Sequence, residues 1–153
     1  MYPYFFSHLP ISRNTEISDA DLLFVISTMK LLSRRSRATR AQVGCIIWNA
    51  QKRTIVSLGY NGTPAGADNT MEMNGRTLES VIHAEDNALR KLSYFTCPQH
   101  LIICITHAPC LSCARKIVAS GIRRVYYLDP YGDALGLRHL REHGITSSRI
   151  LLP

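Results

Sequence analysis

HAE at residues 83–85 and PCLSC at residues 109–113 are the two stretches around which the predicted fold is arranged, because each opens a predicted helix. His83, Cys110 and Cys113 are three of the four ligands that a tetrahedral zinc ion takes in proteins. Structural zinc sites use four protein ligands, whereas catalytic sites keep one position open for water. The two stretches therefore predict a Zn²⁺ cofactor and favour a catalytic site over a structural one.

The spacing inside the two stretches suits this chemistry. Cysteines three residues apart on the first turn of a helix share one face, and the helix N-terminus favours their thiolate form. Glu85 follows His83 by two residues and is expected to point past the metal, where a carboxylate can carry protons for a metal-activated water. His107 stands three residues before Cys110 and is the best candidate for a fourth ligand, so a structural site stays open as the alternative.

The chain of 153 residues is 46% hydrophobic and 19% charged, which is typical of an ordinary globular protein. This length favours a single domain over residues 1–153, with an irregular N-terminal arm at 1–17. No run reaches the roughly 18 apolar residues of a membrane span, and the N-terminus lacks the basic region of a signal peptide. The five cysteines are an odd number and suit a reducing compartment better than a disulfide framework. We therefore expect a cytoplasmic protein without a membrane partner.

The net charge of +7 favours an anionic partner, either a small molecule that carries phosphate or a nucleic acid. Four arginines lie within the segment RRSRATR at residues 34–40, which is the densest charge in the chain. A guanidinium group can bind phosphate through two parallel hydrogen bonds. A solvated basic loop is the competing interpretation, and charge alone does not decide between the two.

Helices and strands alternate along the predicted chain. Ser18 can cap the first helix, and short apolar runs rich in β-branched residues predict buried strands, the first two as a hairpin. Residues 67–77 are predicted to be a polar loop. The predicted strands are 43–48, 54–58, 101–105, 124–128 and 150–152, and the predicted helices are 18–34, 78 or 83 to 92, 110–120 and 134–143. This alternation predicts an α/β domain of stacked helix, sheet and helix layers.

Several longer motifs extend these observations. GYNGTPAG at residues 59–66 is a glycine loop, HAEDNA at 83–88 extends the first stretch, and PCLSCARKI at 109–117 extends the second. Together with RS at 35–36, these motifs resemble the deoxycytidylate (dCMP) deaminases of the zinc-dependent cytidine deaminase superfamily. The glycine loop is the more specific signal, because the zinc motif alone indicates only a deaminase.

The resemblance covers about residues 20–146 and implies a three-layer α/β/α, cytidine-deaminase-like fold with a mixed central sheet of about five strands. It also implies the hydrolytic deamination of dCMP to dUMP and ammonia, which supplies thymidylate synthesis. His83, Cys110 and Cys113 would be the zinc ligands. Glu85 would take a proton from the metal-bound water, protonate N3 of the pyrimidine and help to expel ammonia from C4.

Six substrate-binding residues are also implied by the resemblance: Asn61, Arg35, Ser36, Arg40, Ala84 and Tyr131. Asn61 would hold the sugar or the base, while Tyr131 would close over the nucleotide near its phosphate. Arg35, together with Ser36 and Arg40, would bind the 5′-phosphate. Many relatives are hexamers, so a homo-oligomer is expected.

Three alternatives stand beside a dCMP deaminase. The substrate could be a 5-substituted dCMP, or the enzyme could act on cytosine or adenine in tRNA or single-stranded nucleic acid. The non-enzyme alternative is a zinc-bearing module that only binds nucleotides. The compact length without an appended basic domain favours a free nucleotide over nucleic acid. Glu85 argues against a silent module, because such a module needs no proton carrier.

Overall fold

The computed structural model describes residues 17–93 and 97–151. Within these ranges the chain forms four α-helices, one short 3₁₀-helix at Pro98–His100 and seven strands. The helices are α1 Asp19–Ser33, α2 Ala84–Leu89, α3 Leu111–Ser120 and α4 Leu135–Glu142. The strands are β1 Gly44–Asn49, β2 Thr54–Tyr60, β3 Glu72–Met73, β4 Arg76–Thr77, β5 Leu101–His107, β6 Arg124–Asp129 and β7 Thr146–Arg149.

Five of the strands form one mixed sheet in the order β2-β1-β5-β6-β7. β1 runs antiparallel to both β2 and β5, whereas β5, β6 and β7 are parallel to one another. β5 lies in the middle, and all of its residues except His107 are buried, because an unbroken apolar run suits a strand that is covered on both faces. The predicted hairpin and the predicted central strand are confirmed.

Helices cover both faces of this sheet, so the predicted three-layer α/β/α arrangement is confirmed. On one face α1 buries Leu22, Val25 and Met29 together with side chains of β1 and β5. On the other face α2, α3 and α4 contribute to a second core, in which Ile117 and Leu140 are fully buried. Burial of each such large side chain stabilises the fold by roughly 1.5–3 kcal/mol.

The edge strand β2 fixes the position of α2. Gly59 lies so close to α2 that a Cβ atom at this position would collide with the helix backbone, so the position requires glycine. Ser57 donates a hydrogen bond from Oγ to the carbonyl oxygen of Ala88 at 2.7 Å. Asn87 donates from Nδ2 to the carbonyl oxygen of Tyr60 at 3.0 Å. The start of α2, which carries part of the predicted site, is therefore held firmly against the sheet.

Three predicted elements differ from the structure. The helix predicted to begin at 78 or 83 and end at 92 is shorter, because Ile82 pairs with Gly62 in an isolated bridge and α2 ends at residue 89. The last described strand lies at Thr146–Arg149, where backbone groups pair with β6 at the sheet edge and no apolar run is needed. Residues 150 and 151 of the strand predicted at 150–152 are not part of a strand, and residue 152 lies outside the described residues. The loop predicted at 67–77 contains the hairpin of β3 and β4.

Two predictions reach beyond the described residues. The irregular arm predicted at 1–17 lies outside them except for Ile17, which is buried, and the single domain predicted over 1–153 stays a prediction. In the part of the chain that the structure describes, no helix combines the length and apolar character needed to cross a membrane.

Candidate active site

The three predicted metal ligands lie at the starts of two helices. His83 is the N-cap residue of α2, and Cys110 is the N-cap residue of α3, with Cys113 in the first turn. β5 leads into this region, because it ends at His107, just ahead of α3. Ligands of α/β proteins commonly bind at the carboxyl ends of such strands.

The geometry of these ligands fits a zinc ion. Their ligand atoms all lie within 4.8 Å of one another. Nδ1 of His83 is 3.3 Å from Sγ of Cys113 and 3.6 Å from Sγ of Cys110. Tetrahedral bonds of about 2.3 Å to sulfur and about 2.0–2.1 Å to nitrogen separate the two ligand atoms by about 3.6 Å. Among the described residues His107 is not part of this group, so three protein ligands are offered and one position is left open.

The two sulfurs share a proton unequally. A hydrogen bond from Cys113, supported by one with His83, lowers the pKa of Cys110 to about 4. The same sulfur–sulfur hydrogen bond, together with burial, raises the pKa of Cys113. The hydrogen bond with Cys110 also raises the pKa of His83. Cys110 is therefore a thiolate at neutral pH, which is the form in which cysteine binds a metal.

Glu85 is the second residue of α2 and is only 5% exposed. Burial raises the pKa of its carboxyl group, because the charged form loses hydration when water is excluded. A carboxyl group whose pKa moves toward neutrality can accept and donate a proton at physiological pH. Glu85 is thus suited to proton transfer.

A cavity of about 410 Å³, which we call the catalytic cavity, joins these groups to basic residues. We refer to His83, Glu85 and Cys110, which line it, as the metal wall, and to Arg40 and Arg76, which also line it, as the basic wall. Glu85 is buried whereas both arginines are exposed, so the carboxyl group lies deeper in the protein than the arginines. The volume lies within the range of small-molecule sites.

Asn61 lies between the glycine loop and the cavity and is largely buried. Its Oδ1 accepts a hydrogen bond from the backbone N–H of Val43 at 2.8 Å, and its Nδ2 donates to the carbonyl oxygen of Ala41 at 2.9 Å. An asparagine amide has two N–H donors, so one donor remains for a ligand. Asn61 therefore shapes the wall of the cavity and can still bind a molecule within it.

The structure brings most of the predicted substrate-binding residues into this cavity. Ala84 is fully buried and lines it, and Tyr131, which is 45% exposed, lines it as well. Arg40 belongs to the basic wall. Together with Asn61, these residues surround one space.

Arg35 and Ser36 are not brought into this cavity. Both line a neighbouring cavity of about 660 Å³, which we call the arginine cavity because Arg34 and Arg37 line it too. The Arg35 guanidinium lies 5.9 Å from the centre of the Tyr60 ring. The hydroxyl of Ser36 is buried and accepts a hydrogen bond from the N–H of a residue two positions on. Asn61 lines both cavities and separates them.

The sequence interpretation missed the hairpin of β3 and β4. The catalytic cavity is also lined by three residues of the segment predicted as a loop, namely Glu72, Arg76 and Thr77. The turn between the strands is Asn74-Gly75, with φ of +52° and +72°. An Asn-Gly pair in this left-handed conformation is typical of a type I′ hairpin turn, so this pair is the signal that could have revealed the hairpin.

Asp86 connects the two helices that carry the metal ligands. It follows Glu85 in α2, and its carboxylate lies 2.7 Å from Nζ of Lys116 in α3 and 2.8 Å from Nη2 of Arg90. Although burial raises the pKa of Asp86, the hydrogen bonds from Arg90 and Lys116 hold it below its ordinary value. This ion pair stabilises the arrangement of α2 and α3.

Metal ligands at two helix starts, beside a buried carboxyl group, define the class of zinc-binding deaminases. The family model for the cytidine and deoxycytidylate deaminase zinc-binding region matches residues 20–129. The chain belongs to this family.

Individual relatives agree with this result. ComE operon protein 2 of Bacillus subtilis is 34% identical over 135 residues, which are 84% of this chain and 70% of that protein. The deoxycytidylate deaminase of Saccharomyces cerevisiae is 32% identical over 127 residues, which are 76% of this chain but 40% of that protein. The chain thus spans about two-fifths of the yeast enzyme.

A solved structure extends the comparison to the fold. The dCMP deaminase from the cyanophage S-TIM5, in complex with dCMP and dUMP, is 31% identical to this chain with a TM-score of 0.81. The match covers 87% of this chain and 98% of the cyanophage chain.

Proposed function

We propose that this chain hydrolyses dCMP to dUMP and ammonia. The observation that carries the proposal is the single cavity of about 410 Å³ in which the metal wall and the basic wall meet. One wall offers metal ligands and a proton carrier, and the other offers two cations for a phosphate group. The likeness over nearly the whole length of a dCMP deaminase that binds dCMP and dUMP supports the same substrate.

His83, Cys110 and Cys113 would hold the zinc ion. When bound, zinc supplies a water molecule acidified toward neutral pH as the nucleophile. The chemistry that the chain itself performs is proton transfer by Glu85, whose buried carboxyl group lines the cavity. Glu85 takes a proton from the attacking water and delivers it to N3 of the pyrimidine while a C4–O bond forms. Glu85 then takes the second proton from the oxygen now bonded to C4 and delivers it to the amino group, so that the C4–N bond breaks, ammonia leaves and C4 becomes the carbonyl of dUMP.

The remaining cavity residues would orient the nucleotide. Ala84 would lie against the pyrimidine between the ligand His83 and the proton carrier Glu85. Asn61 would use its remaining N–H donor for the sugar or the base. Tyr131, half-exposed at the cavity, would cover the nucleotide near its phosphate. These groups bind and position the substrate, and Glu85 moves the protons.

One assay tests the proposed function. The zinc-loaded enzyme is given dCMP, 5-methyl-dCMP, deoxycytidine, CMP and dCTP, and in parallel a single-stranded oligonucleotide and tRNA, and ammonia release is measured. We expect dCMP to be deaminated with the highest kcat/KM. A higher kcat/KM for 5-methyl-dCMP than for dCMP would instead indicate that a 5-substituted dCMP is the substrate. Activity on a nucleic acid strand without ammonia release from dCMP would overturn the proposal.

The oligomeric state and the cellular location stay predictions. A homo-oligomer is supported by the outer face of α1, on which Phe24 is 53% and Leu31 is 67% exposed, because apolar side chains of this size often mark contact surfaces between proteins. The cytoplasmic location rests on the sequence pattern alone.

A further inference from the structure

The basic wall contains two cations whose side chains are not engaged by the described part of the chain. Arg40 comes from the loop between α1 and β1, and Arg76 comes from β4. Both are exposed and line the cavity that also contains Glu85. Within the described residues, neither guanidinium forms an ion pair or a side-chain hydrogen bond. Both groups can therefore donate to a bound anion without first breaking another contact.

A single carboxylate ties the two segments together. Oε1 of Glu72 in β3 accepts hydrogen bonds from the backbone N–H groups of Thr39 at 3.0 Å and Arg40 at 3.4 Å. β3 pairs with β4 through the tight turn, and Arg76 is the first residue after that turn. Glu72 thus fixes the hairpin against the loop that carries Arg40. This contact uses the Glu72 carboxylate on backbone groups and leaves both guanidinium groups for a ligand.

The arginine cavity differs in this respect. Arg35 lies over the Tyr60 ring, an arrangement in which a guanidinium is stabilised by the aromatic face. Arg35 and Arg37 line a space that shares Asn61 with the catalytic cavity but contains none of the metal ligands. A nucleotide whose base reaches Glu85 therefore lies in the same cavity as the basic wall, whereas Arg35 and Arg37 line a different one.

We propose that Arg76, acting with Arg40, binds the 5′-phosphate, so that the β3–β4 hairpin selects nucleotides over nucleosides. The inference rests on the proposed function, because it requires a phosphorylated deoxycytidine as substrate. A guanidinium held by a hairpin can form two parallel, charge-assisted hydrogen bonds with phosphate oxygens. A nucleoside lacks these oxygens and gains nothing from Arg76.

The test is the Arg76→Gln variant of the zinc-loaded enzyme, with kcat/KM measured for dCMP and for deoxycytidine. Loss of a hydrogen bond to a charged group should lower kcat/KM for dCMP roughly 30-fold, mainly through KM. The value for deoxycytidine should stay within about twofold, as expected for a substrate without the phosphate contact. Arg76→Lys keeps the positive charge but cannot form the two parallel hydrogen bonds of a guanidinium, so its kcat/KM for dCMP should lie between those of Arg76→Gln and the unaltered enzyme.

Arg37→Gln is the matched control, since it removes the same charge from the arginine cavity. It should leave the ratio of the two kcat/KM values unchanged. An Arg76→Gln variant that keeps the dCMP value, or that loses activity equally on both substrates, would overturn the inference while the proposed function stands. If the unaltered enzyme does not deaminate dCMP, the proposed function fails and the inference fails with it.

Discussion

The metal wall and the basic wall line the same cavity but are built in different ways. The metal wall stands at the starts of α2 and α3, and its side chains are buried or half-buried. The basic wall stands on a loop and on a strand of two residues, and its arginines are exposed. Helix starts packed against a sheet hold side chains more firmly than surface loops do. The chemistry is therefore placed on the rigid part of the fold, and the selection of substrate on the adaptable part.

Because the two walls act on different parts of the substrate, a loss of catalysis can be separated from a loss of substrate selection. A change in the metal wall should reduce turnover of every substrate by a similar factor, because Glu85 acts on the base that all of them share. A change in the basic wall should reduce turnover only where a phosphate is present. Comparing dCMP with deoxycytidine in each variant therefore reports which wall was altered.

The largest effect is expected from Glu85→Gln. The amide keeps the size of the side chain but cannot carry a proton, so kcat should fall roughly 10³-fold for dCMP and deoxycytidine alike. Zinc content, measured by elemental analysis, should stay that of the unaltered enzyme. Glu79→Gln is the control, since Glu79 is exposed and lies outside the cavity lining. Turnover by Glu85→Gln within tenfold of the unaltered enzyme would rule out the proton-carrying role.

A smaller effect is expected from Asp86→Asn, which weakens the contact between the helices that carry the metal wall. Near pH 7 the free energy of unfolding should fall by about 1.5 kcal/mol, because two hydrogen bonds with cations lose their charge assistance. The pKa of Asp86 is lowered in the folded protein, so its stabilisation is present above the unfolded value near 3.8. The difference between the two proteins should therefore shrink as the pH falls below that value.

Urea denaturation at neutral and acidic pH measures this difference. Glu142→Gln is the control, because Glu142 pairs with Arg138 at 3.6 Å where both side chains are more than half exposed. Such exposed pairs contribute only a few tenths of a kcal/mol. Equal losses in both variants, or a difference that does not change with pH, would contradict the account of Asp86.

The smallest effect is expected from Arg35→Gln. Arg35 is exposed and lies in the arginine cavity, so its charge reaches the substrate only through solvent-screened interactions. We expect kcat/KM for dCMP to fall by about threefold or less. A loss equal to that of Arg76→Gln would instead support the sequence prediction that residues 35–36 bind the phosphate.

The metal wall could be predicted from the sequence because each of its parts is local. A cap position, a three-residue spacing and a proline before the helix specify where the sulfur atoms point, and α3 begins where these signals indicate. The central position of β5 in the sheet could also be predicted, because the apolar run at 101–105 suits a strand covered on both faces.

The basic wall could be predicted only in part, because the resemblance implied Arg40 but not Arg76. Strands of two residues carry no alternating pattern, so the hairpin that holds Arg76 shows only through its Asn74-Gly75 turn. The direction of Arg35, which lies in the loop after α1, depends on its contact with Tyr60 of β2. The last strand was placed wrongly for a related reason, because Thr146–Arg149 is a polar edge strand formed by backbone pairing.

We conclude that the metal wall performs the chemistry while the basic wall selects a phosphorylated substrate. The ratio of kcat/KM for dCMP to kcat/KM for deoxycytidine in the unaltered, zinc-loaded enzyme tests this division of roles. We predict a ratio of at least about 10², because a site built for a charged group discriminates strongly against an analogue that lacks it. A ratio near one would contradict the account, since both substrates would then be turned over without any contribution from the basic wall.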